Sequence, residues 1–138
     1  MSVAALRLAV ALLASGGLAG CAAEGSTGGD RTFRDEGVPF TFTHPPSFTD
    51  EDVDLANSRG DVVAVRALDK VDVIAVRRLP AGARARTVRL RVLGEDVTSE
   101  VVPVPGQPGW GLECQYVDAR RDEVLDACRQ ARRTIEDR

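Results

Sequence analysis

The feature that most limits what this chain can fold into is an apolar run near its beginning. Residues 8–14 are all apolar, Arg7 precedes them, and a Ser-Gly-Gly triplet follows. Seven residues are too few to cross about 30 Å of hydrocarbon as a helix, so we interpret residues 1–20 as a cleaved export signal. Of the 138 residues, 118 then remain, which is enough for a single domain with a modest core.

The residues after this run form a short motif: Leu18, Ala19, Gly20 and Cys21. The motif resembles the lipobox of bacterial lipoproteins. The resemblance implies that the Cys21 thiol takes a diacylglyceryl group and that a peptidase cuts before it. Two or three acyl chains would then hold the chain stably on the outer face of the plasma membrane, at about 0.8 kcal/mol per buried methylene. The alternative is ordinary secretion, with cleavage elsewhere and an incidental thiol at Cys21.

The segment after Cys21 is a predicted tether. Residues 22–30 are small and polar and contain three glycines, which is typical of a flexible linker. We therefore expect a lipidated cysteine and tether over residues 21–31 and a single folded domain over residues 32–138.

Strand patterns dominate the first two thirds of that domain. Val38, Phe40 and Phe42 alternate with polar or small residues, which predicts a strand with one buried face; Pro39 favours an edge position. Residues 61–68 and 71–79 are apolar and rich in valine, and Asp69-Lys70 between them predicts a hairpin with a two-residue turn.

Three further segments are predicted strands. Residues 87–93 alternate apolar and basic side chains, and a short helix is the competing interpretation. Residues 100–104 and 111–117 also favour strands, with a turn-rich segment between them. Residues 80–86 are interpreted as a loop.

The end of the chain changes period. In residues 118–136 the apolar side chains recur every three to four positions, which predicts an amphipathic helix. They are Val124, Leu125, Cys128, Ala131 and Ile135. Acids near its start and Arg132 and Arg133 toward its end suit the helix dipole.

Cys114 and Cys128 remain as a pair once Cys21 is lipidated. In an exported protein such a pair favours a disulfide, which would close a 15-residue loop and stabilise by about 3 kcal/mol. A redox-active or metal-binding pair is the alternative, but the chain has neither CxxC spacing nor a histidine nearby.

Two stretches carry a resemblance to a known family. GVPFTFTHPPSF, residues 37–48, and LECQYVDARRDEVLDACRQARRTI, residues 112–135, resemble the first strand and the final strand and helix of PsbP-like domains in small lipoproteins of GC-rich Gram-positive bacteria. The cysteines at 114 and 128 match as well. The resemblance implies an α+β fold, an antiparallel β-sheet with the C-terminal helix packed on it, and a non-catalytic accessory role.

The sequence contains little that points to catalysis. His44 is the only histidine, so a histidine triad or multi-histidine metal site would depend on it alone; because two prolines follow, we interpret it as a surface or capping residue. Nucleophile-elbow, phosphate-loop and dinucleotide motifs are absent from the sequence. We therefore expect a protein that is not an enzyme and has no cofactor.

Net charge argues against a nucleic-acid partner. The full chain carries −3, and loss of Arg7 with the signal makes it −4, whereas binding to phosphates needs a positive surface. The expected partners are the membrane, through the lipid anchor, and an envelope protein.

Two charged segments could form sites. Asp50, Asp52, Asp54 and Asp61 have a spacing similar to that of a calcium loop, but Leu55 stands where that loop needs glycine, so a solvated acidic loop is preferred. The basic segment consists of Arg77, Arg78, Arg84, Arg86, Arg89 and Arg91. It could face anionic headgroups or envelope polymers, or simply lie on the solvent side of a strand.

Trp110, the only tryptophan, could mark a binding lip, although core packing is favoured. The functional hypothesis is a non-enzymatic, membrane-anchored envelope lipoprotein that acts as an accessory or protein-interaction module. The alternative is a lipoprotein that binds a small ligand or metal through the acidic loop or Trp110.

Overall fold

The computed structural model describes residues 29–50 and 61–138. Over these ranges the chain is α+β, with two antiparallel sheets and one helix, and this confirms the predicted fold class. In chain order the elements are β1 (Arg31–Phe33), β2 (Phe40–His44), β3 (Val62–Ala67), β4 (Val73–Arg78), β5 (Arg86–Val92), β6 (Glu95–Pro103), β7 (Trp110–Tyr116), a 3₁₀ turn (Asp118–Arg120), α1 (Arg121–Arg133) and β8 (Glu136–Asp137).

The larger sheet has the strand order β3-β4-β7-β6-β5, and every neighbouring pair in it is antiparallel. The smaller sheet has the order β1-β2-β8. Helix α1 packs against β2, β7 and β4, so the small sheet and the helix together cover one face of the large sheet. Among the described residues, β3 and β5 are the edges of the large sheet.

The main core lies between these layers. Phe33 and Phe42 stack with ring centroids 4.5 Å apart, and Phe40 meets Trp110 edge-on at 5.9 Å. Apolar residues from the large sheet and the helix, such as Leu112 and Val124, close the cluster. Burying side chains of this size contributes about 1.5–3 kcal/mol each, which makes this cluster the main source of stability.

The structure corrects the prediction for β2. We expected an edge strand because of Pro39, but β2 lies between β1 and β8. Pro39 is compatible with that place because the strand begins one residue later, at Phe40. The Pro39 carbonyl accepts a hydrogen bond from the Arg138 amide at 3.0 Å. Proline fits this position because the pairing uses its carbonyl oxygen and not the N–H group that proline lacks.

The hairpin of β3 and β4 forms as predicted, but its connection is longer than the expected two-residue turn. Leu68 and Asp69 both donate their amides to the Asp72 carbonyl, at 2.8 and 3.3 Å, so the loop spans residues 68–72. The segment has neither Gly nor Asn to adopt the positive φ angles of a two-residue turn, and this accounts for the extra residues.

The ambiguous segment 87–93 is a strand, β5, and the competing helix is wrong. β6 begins at Glu95 and not at residue 100, and a tight turn at Leu93 and Gly94 joins it to β5. Both turn residues have positive φ, 51° and 79°, as the favoured two-residue hairpin turn requires.

The terminal helix is shorter than predicted. α1 covers Arg121–Arg133, a 3₁₀ turn precedes it, and Glu136–Asp137 leave it to pair with β2. Thr134 ends the helix, because its hydroxyl donates to the Gln130 carbonyl at 2.9 Å and accepts the Thr43 amide at 2.8 Å. Ile135 is partly buried against the core but lies beyond the helix.

Candidate functional site

The predicted disulfide is present. Cys114 on β7 and Cys128 on α1 are bonded, with their Cα atoms 6.3 Å apart, within the usual range for disulfides. Both residues are buried in the main core. The bond therefore ties the helix to the central strand of the large sheet.

A buried ionic cluster lies on the face of the large sheet that is turned away from α1. Arg77 on β4 donates from Nη1 to Glu113 Oε2 at 2.7 Å and from Nη2 to Asp61 Oδ1 at 2.8 Å. Ser99 Oγ also donates to Glu113 Oε2, at 3.0 Å. The exposed fractions of the Arg77 and Glu113 side chains are 1% and 0%, so the pair is fully desolvated.

This cluster corrects the interpretation of Arg77 and bears on the calcium-loop possibility. Arg77 is not part of an exposed basic segment, because it is buried within β4. Asp61, the last position of the possible calcium loop, is bound to Arg77 instead. Asp50 lies 3.7 Å from Arg66, while residues 52, 54 and 55 lie outside the described residues. Within ranges 29–50 and 61–138, no group of three or more His, Cys, Asp or Glu side chains could hold a metal ion.

His44 is buried and not a surface residue, so that interpretation was wrong. It is 2% exposed, its ring meets Phe42 edge-on at 6.3 Å, and its Nδ1 donates to the Pro45 carbonyl at 2.9 Å. Burial is the main reason why the pKa of His44 is lowered below the ordinary histidine value. Burial thus disfavours the charged form of the ring.

A second buried titratable group, Asp72, was not singled out in the sequence. Its Oδ1 accepts the Val117 amide at 2.9 Å, which fixes the end of β7 against the β3–β4 loop. Burial raises the pKa of the Asp72 carboxyl, and the hydrogen bond from Val117 opposes that shift. The sequence feature that could have identified Asp72 is its position as an acidic residue directly before the apolar strand residues that begin at 73.

Trp110 is a core residue, as favoured, with 7% of its surface exposed. The guanidinium of Arg78 lies 4.4 Å above its ring. Trp110 also lines a cavity of about 430 Å³ between the β4–β5 and β6–β7 loops, whose apolar walls include Leu79, Pro80, Pro103, Val104 and Pro108.

The rest of the basic segment divides between loop and strand. Arg84 lies in the β4–β5 loop, and Arg86, Arg89 and Arg91 lie on β5; all four are exposed. Arg91 approaches Asp96 at 3.8 Å, with 71% and 89% of the two side chains exposed, so this pair contributes little. β5 is therefore a basic strand at the edge of the sheet.

The predicted lipidation residues, Leu18, Ala19, Gly20 and Cys21, lie outside the described residues. The described parts of the chain contain no helix long and apolar enough to cross a membrane. In comparisons with known proteins, no family model and no curated protein matches this chain.

Proposed function

We propose that this chain is a non-enzymatic envelope lipoprotein, anchored by an acylated Cys21 on the outer face of the plasma membrane, whose domain is a protein-interaction module. The observation that carries the proposal is the disulfide between Cys114 and Cys128. Disulfides persist in oxidising compartments and are rare in the cytosol. The bond supports export independently of the signal-like residues 1–20.

The place where the tether leaves the domain suits an anchored module. β1 begins at Arg31, which is paired with His44 at one end of β2. The other end of β2, at Phe40, contacts Trp110. The tether and the loops around Trp110 thus lie at opposite ends of β2, so a chain anchored at Cys21 could present the Trp110 end away from the bilayer.

The proposed non-catalytic role rests on the surroundings of the polar side chains. His44 is buried with one ring nitrogen already donating to a carbonyl, and Arg77 and Glu113 neutralise each other inside the sheet. These polar groups are therefore already engaged by partners within the fold. We also propose the PsbP-like assignment, which the α+β layering and the disulfide between the final strand and helix support.

Fractionation with thiol labelling tests the location. The full chain and a Cys21→Ser variant are expressed in a Gram-positive host, and cells are treated with an alkylating reagent before and after reduction. We expect the parent protein in the membrane fraction, with Cys114 and Cys128 unreactive toward the reagent until they are reduced. The Cys21→Ser variant should be released from the membrane fraction. Parent protein in the cytosol with reactive thiols would refute the proposal.

The cavity beside Trp110 favours a second candidate function, binding of a small apolar ligand. Its volume of about 430 Å³ falls within the usual 300–1,000 Å³ of ligand sites. Because Trp110 is the only tryptophan, its fluorescence reports on the site directly. Titration with an apolar probe such as anilinonaphthalene sulfonate should quench it saturably if this candidate is correct, and a Pro103→Glu variant is the matched control.

A further inference from the structure

β5 is the last strand of the large sheet in the described part of the chain. β5 pairs with β6 on one side, and in the part of the chain that the structure describes it has no strand on the other. Seven residues of backbone therefore present a row of hydrogen-bonding groups, which is a template for another strand.

The side chains along this edge alternate in character. Arg89 and Arg91 project on one face and are exposed, whereas Val88 and Leu90 project on the other and are half-buried. Side chains on a neighbouring strand lie directly opposite those on the same face. A strand added to β5 would therefore need acidic or polar groups opposite the arginines and apolar groups opposite Val88 and Leu90.

Among the described strands, β6 meets most of this requirement. On the inner side of β5, Asp96 lies opposite Arg91, and Val97 lies opposite Leu90. Thr98 lies opposite Arg89 and Ser99 opposite Val88, while Glu100 and Val101 lie opposite Thr87 and Arg86. β6 thus displays the chemistry that the side chains of β5 already accept.

We propose that the outer edge of β5 binds an extended segment of a protein partner that places acidic or polar residues opposite Arg89 and Arg91 and an apolar residue opposite Leu90, as β6 does on the inner side. Main-chain hydrogen bonds would give affinity, and the acid and apolar positions would give register and specificity. Pairing of two β5 edges is disfavoured, because the arginines of two copies would face each other across the new pair.

A bilayer is a less suitable occupant of this edge. Glu95 and Asp96 are exposed at the β5–β6 turn, and Asp118 lies beside Arg89 and Arg91 around a shared surface depression. The charge at this end of the sheet is therefore mixed, whereas attraction to anionic headgroups requires a basic excess.

The probe is a fluorescent nine-residue peptide with the sequence of β6, residues 95–103, added to the complete chain purified in detergent. Two peptide controls accompany it: one with Lys in place of the acids at 96 and 100, and one with N-methylated backbone amides. The protein variants are Arg89→Glu/Arg91→Glu and, as a charge-matched control on other surfaces, Arg34→Glu/Arg132→Glu.

We expect saturable binding, with hydrogen-exchange protection gained in residues 86–92. The β5 double variant should weaken binding at least about tenfold, equivalent to about 1.4 kcal/mol, while the control variant should not. No saturable binding at millimolar peptide, equal binding of the N-methylated peptide, or equal loss in both variants would overturn the proposal.

The inference rests on the proposed interaction role, not on the anchor. Peptide binding can fail while Cys21 is acylated, and acylation can be absent while the peptide binds. The two results therefore separate failure of this inference from failure of the proposed location.

Discussion

Arg77 and Glu113 form an ion pair inside the large sheet, with 2.7 Å between Nη1 and Oε2 and almost no exposure of either side chain. Removing one member of such a pair leaves a buried charge and costs about 3–5 kcal/mol. We predict a loss of that size for Glu113→Leu in urea unfolding. Arg77→Met/Glu113→Leu should lose clearly less than the two single variants together, and additive losses would contradict a coupled pair.

His44 should make the fold sensitive to mild acid. Its folded pKa is below the ordinary value of about 6.5, so its contribution is complete above that pH and is lost as pH falls from 6.5 through the folded pKa. We predict that the free energy of unfolding declines between pH 7.5 and 5.5 more steeply for the parent than for His44→Phe. Parallel pH profiles would count against this role.

Asp72 should act in the opposite sense. Its folded pKa is raised, so stability falls as pH rises from the unfolded value of about 3.9 through the folded pKa, and the penalty is complete above it. Asp72→Asn removes the charge and keeps an oxygen that can accept the Val117 amide. The free energy of unfolding of Asp72→Asn minus that of the parent should therefore be larger at pH 7 than at pH 4. An equal difference at the two pH values would be inconsistent with a raised pKa.

Leu93 occupies a conformation that suits it poorly. It has φ 51° at the β5–β6 turn, and 61% of its surface is exposed. A left-handed conformation costs most residues about 1–2 kcal/mol, and asparagine tolerates it better. Leu93→Asn should raise the melting temperature by a few degrees. Leu93→Ala, which removes the apolar surface but keeps the backbone penalty, is the matched control and should not.

Periodicity was a good guide to elements that have one buried face. It predicted a strand at Phe40 and Phe42, though not its central place in the small sheet, and it also predicted β5 and the apolar face of α1 around Val124 and Cys128. For β6 it predicted a strand that begins too late, because Glu95 and Asp96 at the start of the strand are polar and exposed. β8 has only two residues, too few for any period.

The buried polar residues could not be predicted from alternation. Both faces of the large sheet hold buried side chains, so Arg77 is buried although the basic segment suggested exposure, and nothing in the alternation singled out Glu113. Only the pairing of β4 with β7 brings them together. His44 was misread for a similar reason, because the two prolines after it suggested the surface, whereas the ring turns back against Phe42.

The role of Cys21 is tested most directly by intact-mass spectrometry of the protein purified from membranes. We predict a chain that begins at residue 21 and carries a diacylglyceryl group on the Cys21 thiol, with Cys114 and Cys128 together two hydrogens lighter than two free thiols. An unmodified chain that keeps residues 1–20, or one with a bare thiol at Cys21, would contradict this prediction.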